Sequence, residues 1–203
     1  MKKSLGIGEM IKLGLTLVCY AVASCAVLAI VNNFTAPKIR QNQIDAANKA
    51  MREVFATADE FVPVTDYAPA SVNTITVSDV YLAKQNGAVV GGVAQVAGPT
   101  YDKGKLIVGM DLDGVVTGMQ ILELSDSPGF GLKANDPTFK LPNDKTFYGQ
   151  FAGKSALMGF SDGQNFDAIS GATISSKALG NLVTEGTGVL LKYFEEHPEG
   201  IQK

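Results

Sequence analysis

A chain of 203 residues has room for one domain with a substantial core and a small appendage, and not for two domains of ordinary size. A formal charge of only -3, with no basic block outside the extreme N-terminus, argues against a nucleic-acid surface. Both cysteines, Cys19 and Cys25, fall inside one apolar run and the single histidine, His197, lies near the C-terminus, so the remainder cannot build a disulfide framework, a zinc site or a cysteine-ligated cluster. Any redox chemistry here must come from an organic cofactor supplied from outside.

Leu13 to Val31 reads LGLTLVCYAVASCAVLAIV, about 19 residues without a charge, which matches the roughly 20 residues a helix needs to cross the hydrocarbon. Lys2, Lys3 and Lys12 precede this run against Glu9, while Lys38 and Arg40 follow only after Asn32-Asn33-Phe34-Thr35-Ala36-Pro37. The positive-inside bias therefore predicts a cytoplasmic N-terminus and an extracytoplasmic body. A cleaved signal peptide and a lipoprotein box around Cys25 are the competing readings. The apolar residues continue as Ala26-Val27-Leu28-Ala29-Ile30-Val31, too far for a signal core of about 7 to 15 residues, which favours a retained anchor.

Beyond the anchor, Ile44, Ala47, Met51 and Val54 recur at helical spacing, with Ala50 and Phe55 beside them. This amphipathic connector is expected to stand the domain off the membrane. Asp59 to Tyr67, with Pro63, reads as a loop. Two hairpins follow: Val80 to Val96 around Asn86-Gly87, and Lys105 to Leu122 around Asp113-Gly114, turns whose residues tolerate positive φ. Ser125 to Gln150 is rich in Pro, Gly, Asn and Asp and reads as a long functional loop. A strand within Phe151 to Phe160 and a last helix from Ser175 or Ser176 to about Phe194 complete the chain. Gly180, Gly186 and Gly188 weaken that helix, so packing must supply its stability. The expected fold class is α+β: a transmembrane helix, then a twisted, mainly antiparallel sheet with flanking helices. The expected boundaries are 1–12 cytoplasmic, 13–34 anchor, 35–60 connector and 61–203 domain.

The chemistry-bearing stretch is Asp167-Ala168-Ile169-Ser170-Gly171-Ala172-Thr173-Ile174-Ser175-Ser176, which joins a polar loop to the last helix. Ser and Thr there can simply cap the helix, with Gly supplying the sharp approach. The same arrangement can also seat a phosphate, because free backbone donors and the positive helix end favour an anion. Asp111 and Asp113 read as hairpin residues rather than metal ligands, and no metal site is expected. Tyr101, with Gly104, reads as an ordinary core tyrosine in preference to a member of a ring-contacting loop. His197 falls in an acidic tail and offers no catalytic triad.

Asp167-x-x-Ser170-Gly171-Ala172-Thr173 resembles the flavinylation motif of the FMN-binding domain in the G subunit of the Rnf electron-transport complex and in the C subunit of the sodium-pumping NADH:quinone oxidoreductase. The likeness runs along nearly the whole chain: one N-terminal anchor, an amphipathic connector, the strands from Gly98 to Leu122, a Pro-Gly-x-Gly loop, and the motif before the final helix. The compact length is closer to the Rnf protein. The resemblance implies FMN esterified through its phosphate to Thr173 by a flavin transferase, and an electron relay inside a multi-subunit membrane complex that moves ions. It implies no turnover by this chain alone, and hence no catalytic residue of its own. On that footing Asp167 is expected to orient the motif during transfer, Ser170, Gly171 and Ala172 to shape the phosphate turn, and Ser127, Pro128, Gly129 and Gly131 to lie against the flavin ring. The family's Glu-Thr before Pro-Gly is Asp126-Ser127 here, and Ser175 stands where a second Thr is common, as a fallback attachment residue. Two other readings stand beside this one: a quinone-reductase or extracellular electron-transfer relative, and a non-redox anchored interaction domain in which Ser-Gly-Ala-Thr is only a cap.

Overall fold

The structure, a computed structural model, describes residues 6–198. These divide after Asp45 into two compact units. Helix α1, Ile7–Val54, runs through both anchor and connector segments, and Pro37 lies inside it. It contains an 18-residue stretch of mean hydropathy 2.3, none of it buried, and is long and apolar enough to cross a membrane.

The second unit is built on one open antiparallel sheet of five strands in chain order: β1 Glu60–Val64, β2 Thr76–Gln85, β3 Ala88–Gly98, β4 Gly104–Asp111 and β5 Val116–Leu124. Each strand pairs antiparallel with the next, with residues 65–75 joining β1 to β2 and shorter connections between the others. Asn86 (φ 51°) and Gly87 (φ 84°) make the first tight turn, the left-handed pair that suits strand twist. At the second, Asp111 Oδ1 accepts the N–H groups of Asp113 (3.0 Å) and Val115 (2.8 Å). Both expected hairpins are present. The stretch expected to be a loop, Asp59 to Tyr67, instead supplies β1, because Pro63 sits opposite Tyr81 on an edge strand whose outer side needs no N–H.

Both faces of the sheet are covered. Helix α2, Thr173–Glu196, packs across β3 and β4 on one face, burying Leu179, Leu182, Val183, Val189 and Leu190 against Ala94, Val96, Leu106, Val108 and Met110. The last turns of α1 cover the other face, where Ala50, Met51, Val54 and Phe55 meet Ala83, Val93 and Ile107. The connector stripe is therefore core material over its final turns. β4 is consequently buried on both sides and reads as an unbroken apolar run rather than an alternation. Each fully buried aliphatic side chain there contributes ~1.5–3 kcal/mol.

Between β5 and α2 the chain forms two short 3-10 helices, Gly131–Asn135 and Tyr148–Gln150. It is held by a cluster in which the Phe151 ring lies 5.6 Å from Phe147, 5.4 Å from Phe166 and 5.2 Å from Phe160. The strand expected within Phe151 to Phe160 is absent. Only Ser155 bridges to Val115, because the phenylalanines there turn inward as a cluster instead of alternating. The final helix begins two residues earlier than expected, at Thr173.

Candidate functional site

Three segments meet at one end of the sheet: the loop from β3 to β4, the loop after β5 and the start of α2. They enclose a cleft of about 460 Å³, within the range of about 300–1,000 Å³ usual for cofactor pockets. Tyr101 comes from the first loop, Ser127, Phe130 and Gly131 from the second, and Gly171 to Ser175 from the third. Tyr101, Phe130 and Ile174 leave large apolar surfaces exposed around it, at 68%, 57% and 65%. Apolar side chains ringing a cleft beside polar backbone suit a flat ring system carrying a polar tail.

The polar part is the start of α2. Its N-cap residue is Ala172, and no side chain caps the helix. Among the described residues, the N–H groups of Thr173, Ile174 and Ser175 enter no hydrogen bond, and the first helical bond is from Ser176 N–H to Ala172 O at 2.9 Å. Thr173 is exposed, and its hydroxyl is likewise unpartnered. Plain capping therefore does not describe this threonine. Three free donors and the positive helix end favour an anionic group beside it. Gly171, at φ 81°, makes the sharp turn into the helix, and any side chain there would lie 3.6 Å from the Phe130 ring.

The Pro-Gly loop is a tight turn with Gly129 at φ 77° and the Phe130 N–H bonded to Ser127 O at 3.2 Å, the arrangement of a type II turn. It delivers Phe130 and Ser127 to the cleft. Pro128 and Gly129 form its exposed tip and do not line the cavity.

Beneath the cleft lies Asp126, 4% exposed. Its Oδ1 accepts the Thr100 hydroxyl at 2.6 Å and the Asp102 N–H at 3.0 Å. Oδ2 is fully buried and has no hydrogen-bond partner, with Ser175 near it across Gly131. Burial pushes this carboxyl's pKa up. The Ser175 and Thr100 hydroxyls and the N–H groups of Asp102 and Tyr101 outweigh that and hold it below the ordinary value. Ser175 itself is only 4% exposed, at the floor of the cleft.

Asp167 does not line the cleft. Gln150, fully buried, clasps its backbone in both directions: Gln150 Nε2 donates to Asp167 O at 3.1 Å, and Asp167 N–H donates to Gln150 Oε1 at 2.8 Å. Its carboxylate accepts Asn143 Nδ2 at 3.0 Å. The loop is then pinned by Ala168 N–H on Asp162 (2.9 Å) and by Ile169 N–H on the Ser176 hydroxyl (3.0 Å). Ser170 is exposed at the turn and also stays out of the cleft. Thus Thr173, Gly171, Ala172, Ser175, Ser127 and Gly131 come together, while Asp167, Ser170, Pro128 and Gly129 do not. Tyr101, expected in the core, is exposed at the cleft instead, because the β3–β4 loop lifts it off the sheet. Asp126 was marked in the sequence only as the residue in place of the family's Glu in the Pro-Gly loop, with no role given to it, and Ile174 only as a member of the motif stretch. Among the described residues no cluster of His, Cys, Asp and Glu could hold a metal ion.

Comparison with known proteins covers both units. A family model described as an FMN-binding domain matches residues 100–187, which contain every residue lining the cleft, and one described as the RnfG N-terminal region matches residues 1–54. The chain is 34% identical to the G subunit of the Na(+)-translocating ferredoxin:NAD(+) oxidoreductase complex of Acetobacterium woodii, over 91% of each chain. It is 31% identical to the G subunit of the ion-translocating oxidoreductase complex of Escherichia coli O157:H7, over 85% of this chain and 86% of that one. Identity to the G subunit of the proton-translocating ferredoxin:NAD(+) oxidoreductase complex of Clostridium ljungdahlii is 30%, over 84% and 85%.

Proposed function

Because this chain belongs to the RnfG family, the G subunits of ion-translocating oxidoreductase complexes, we propose that it relays electrons through FMN held covalently on Thr173 in an extracytoplasmic domain. It is an electron-carrying flavoprotein subunit of such a complex, with an FMN-binding domain around the cleft. Its partners are the complex's other subunits, and a flavin transferase during maturation. The RnfG relatives match over most of their length, which favours this assembly over a quinone reductase.

One observation carries the attachment site: Thr173 is the exposed first residue of α2, its hydroxyl free, beside three unbonded N–H groups. Those donors would take the phosphate oxygens. Tyr101, Phe130 and Ile174 would flank the ring, and a tether at one end would leave the ring able to meet its redox partners. Bound FMN supplies transfer of electrons singly or in pairs, while the protein supplies position and electrostatics.

The test is to produce the chain with a flavin transferase, denature it, and measure its mass and in-gel fluorescence. The native chain should gain one FMN less one water. Thr173→Ala should gain nothing, and Ser175→Ala should still be modified. A fluorescent Thr173→Ala band moves the attachment elsewhere.

A further inference from the structure

Asp126 belongs to no helix or strand, yet it touches all three segments that form the cleft. The Thr100 hydroxyl and Asp102 N–H reach it from the β3–β4 loop. From the first turn of α2, Ser175 comes near its Oδ2, which has no hydrogen-bond partner. Gly131, from its own loop, presses so closely that an added Cβ would stand 2.6 Å from Asp126 Oδ2 and 2.6 Å from Ser175 Oγ. Two of these neighbours, Gly131 and Ser175, line the cleft, and Tyr101 stands between Thr100 and Asp102. We propose that Asp126 is a positioning residue whose buried carboxylate clamps these three segments, setting Tyr101 and Phe130 on either side of the ring tethered at Thr173. The role in ring placement rests on the attachment proposed above; the clamp itself does not.

The geometry separates Asp126 from a generic buried polar group. A carboxylate has acceptor sites on both oxygens, and here one oxygen faces the β3–β4 loop while the other faces α2. An asparagine keeps an acceptor for Thr100 and Asp102 and offers an amide towards Ser175. An alanine keeps nothing.

Hydrogen–deuterium exchange on the full-length unflavinylated protein in detergent tests the clamp. Asp126→Ala should speed exchange in 99–103 and 130–132 and at Ser176, where the amides are hydrogen-bonded, by about tenfold or more, the loss expected for charge-assisted bonds. Asp126→Asn should fall between the alanine variant and the native chain, since the acceptor for Thr100 and Asp102 survives while the charge is lost. Thr100→Val, which removes one partner only, should loosen 99–103 and 130–132 even where the alanine variant does not fold. Native-like exchange in Asp126→Ala, or in Thr100→Val where the alanine variant does not fold, overturns the clamp. After flavin transfer, the alanine variant should carry the same added mass but a brighter and less anisotropic flavin, with the asparagine variant close to native. Equal emission from all three chains overturns the role in ring placement. A native chain that gains no mass sinks attachment at Thr173, while the exchange result still decides the clamp.

Discussion

Asp126 also predicts a pH dependence, since its carboxyl is held below its ordinary value of about 3.8 despite burial. A carboxyl depressed in the folded state contributes stability that is complete above the unfolded pKa. That contribution is lost as pH falls through the folded pKa. At neutral pH Asp126→Asn should therefore cost ~1–3 kcal/mol, the range for hydrogen bonds to a charged group. The gap to the native chain should close as the solution is taken below pH about 4. Chemical denaturation at a series of pH values measures this, and a gap that stays constant into strong acid would show that the charge contributes nothing. The motif that ends at Thr173 can be picked out of the sequence because it is local, seven residues from Asp167 to Thr173. Asp126 was met only as a member of the Pro-Gly loop and its role was not legible, because its hydrogen-bond partners lie 24 and 26 positions away, and nothing in a linear reading brings Thr100 and Asp102 to one carboxylate.

At the scale of elements, spacing announced most of the architecture. The uncharged run, the Asn-Gly and Asp-Gly turns and the final amphipathic stripe all rest on neighbours a few residues apart, and the structure keeps each of them. What failed depended on distant partners. Strand β1 exists because β2 offers an edge on which Pro63 is harmless, and Phe151 to Phe160 forms no strand because its rings join a cluster with Phe147 and Phe166. The glycines of α2 show the same division. All three read as helix weakeners, but Gly186 lies so close to the sheet that an added Cβ would sit 2.6 Å from Val96 and 2.9 Å from Val108, whereas Gly188 has nothing within 4 Å. Gly188→Ala should therefore stabilise the protein by ~0.5–1 kcal/mol through helix propensity alone. Gly186→Ala should destabilise it by ~1 kcal/mol or more, since overpacking against two β-branched residues outweighs the same gain. Thermal unfolding of the two variants side by side checks the pair, and equal shifts would mean that α2 does not approach the sheet this closely.

For the whole molecule the open question of consequence is sidedness, because an electron relay must stand where its partners can reach it. The charge pattern places three lysines against one glutamate before the apolar run, which predicts that the N-terminus stays in the cytoplasm and the flavin domain is exported. The chain provides its own means of asking. Its two cysteines, Cys19 and Cys25, both lie within the stretch long enough to span, so a membrane-impermeant maleimide should leave the native protein unlabelled in intact cells. Met158 is 95% exposed in the second unit and touches neither the cleft nor the aromatic cluster. Met158→Cys should then be labelled by the impermeant reagent in intact cells, given an outer envelope that admits it, whereas Ser4→Cys should be labelled only after the inner membrane is opened. The reverse pattern would put the domain in the cytoplasm and remove the need for any transferase outside it. Labelling of both sites in sealed cells would instead point to a leaky preparation, which the unlabelled native chain would not reveal but a cytoplasmic marker enzyme would.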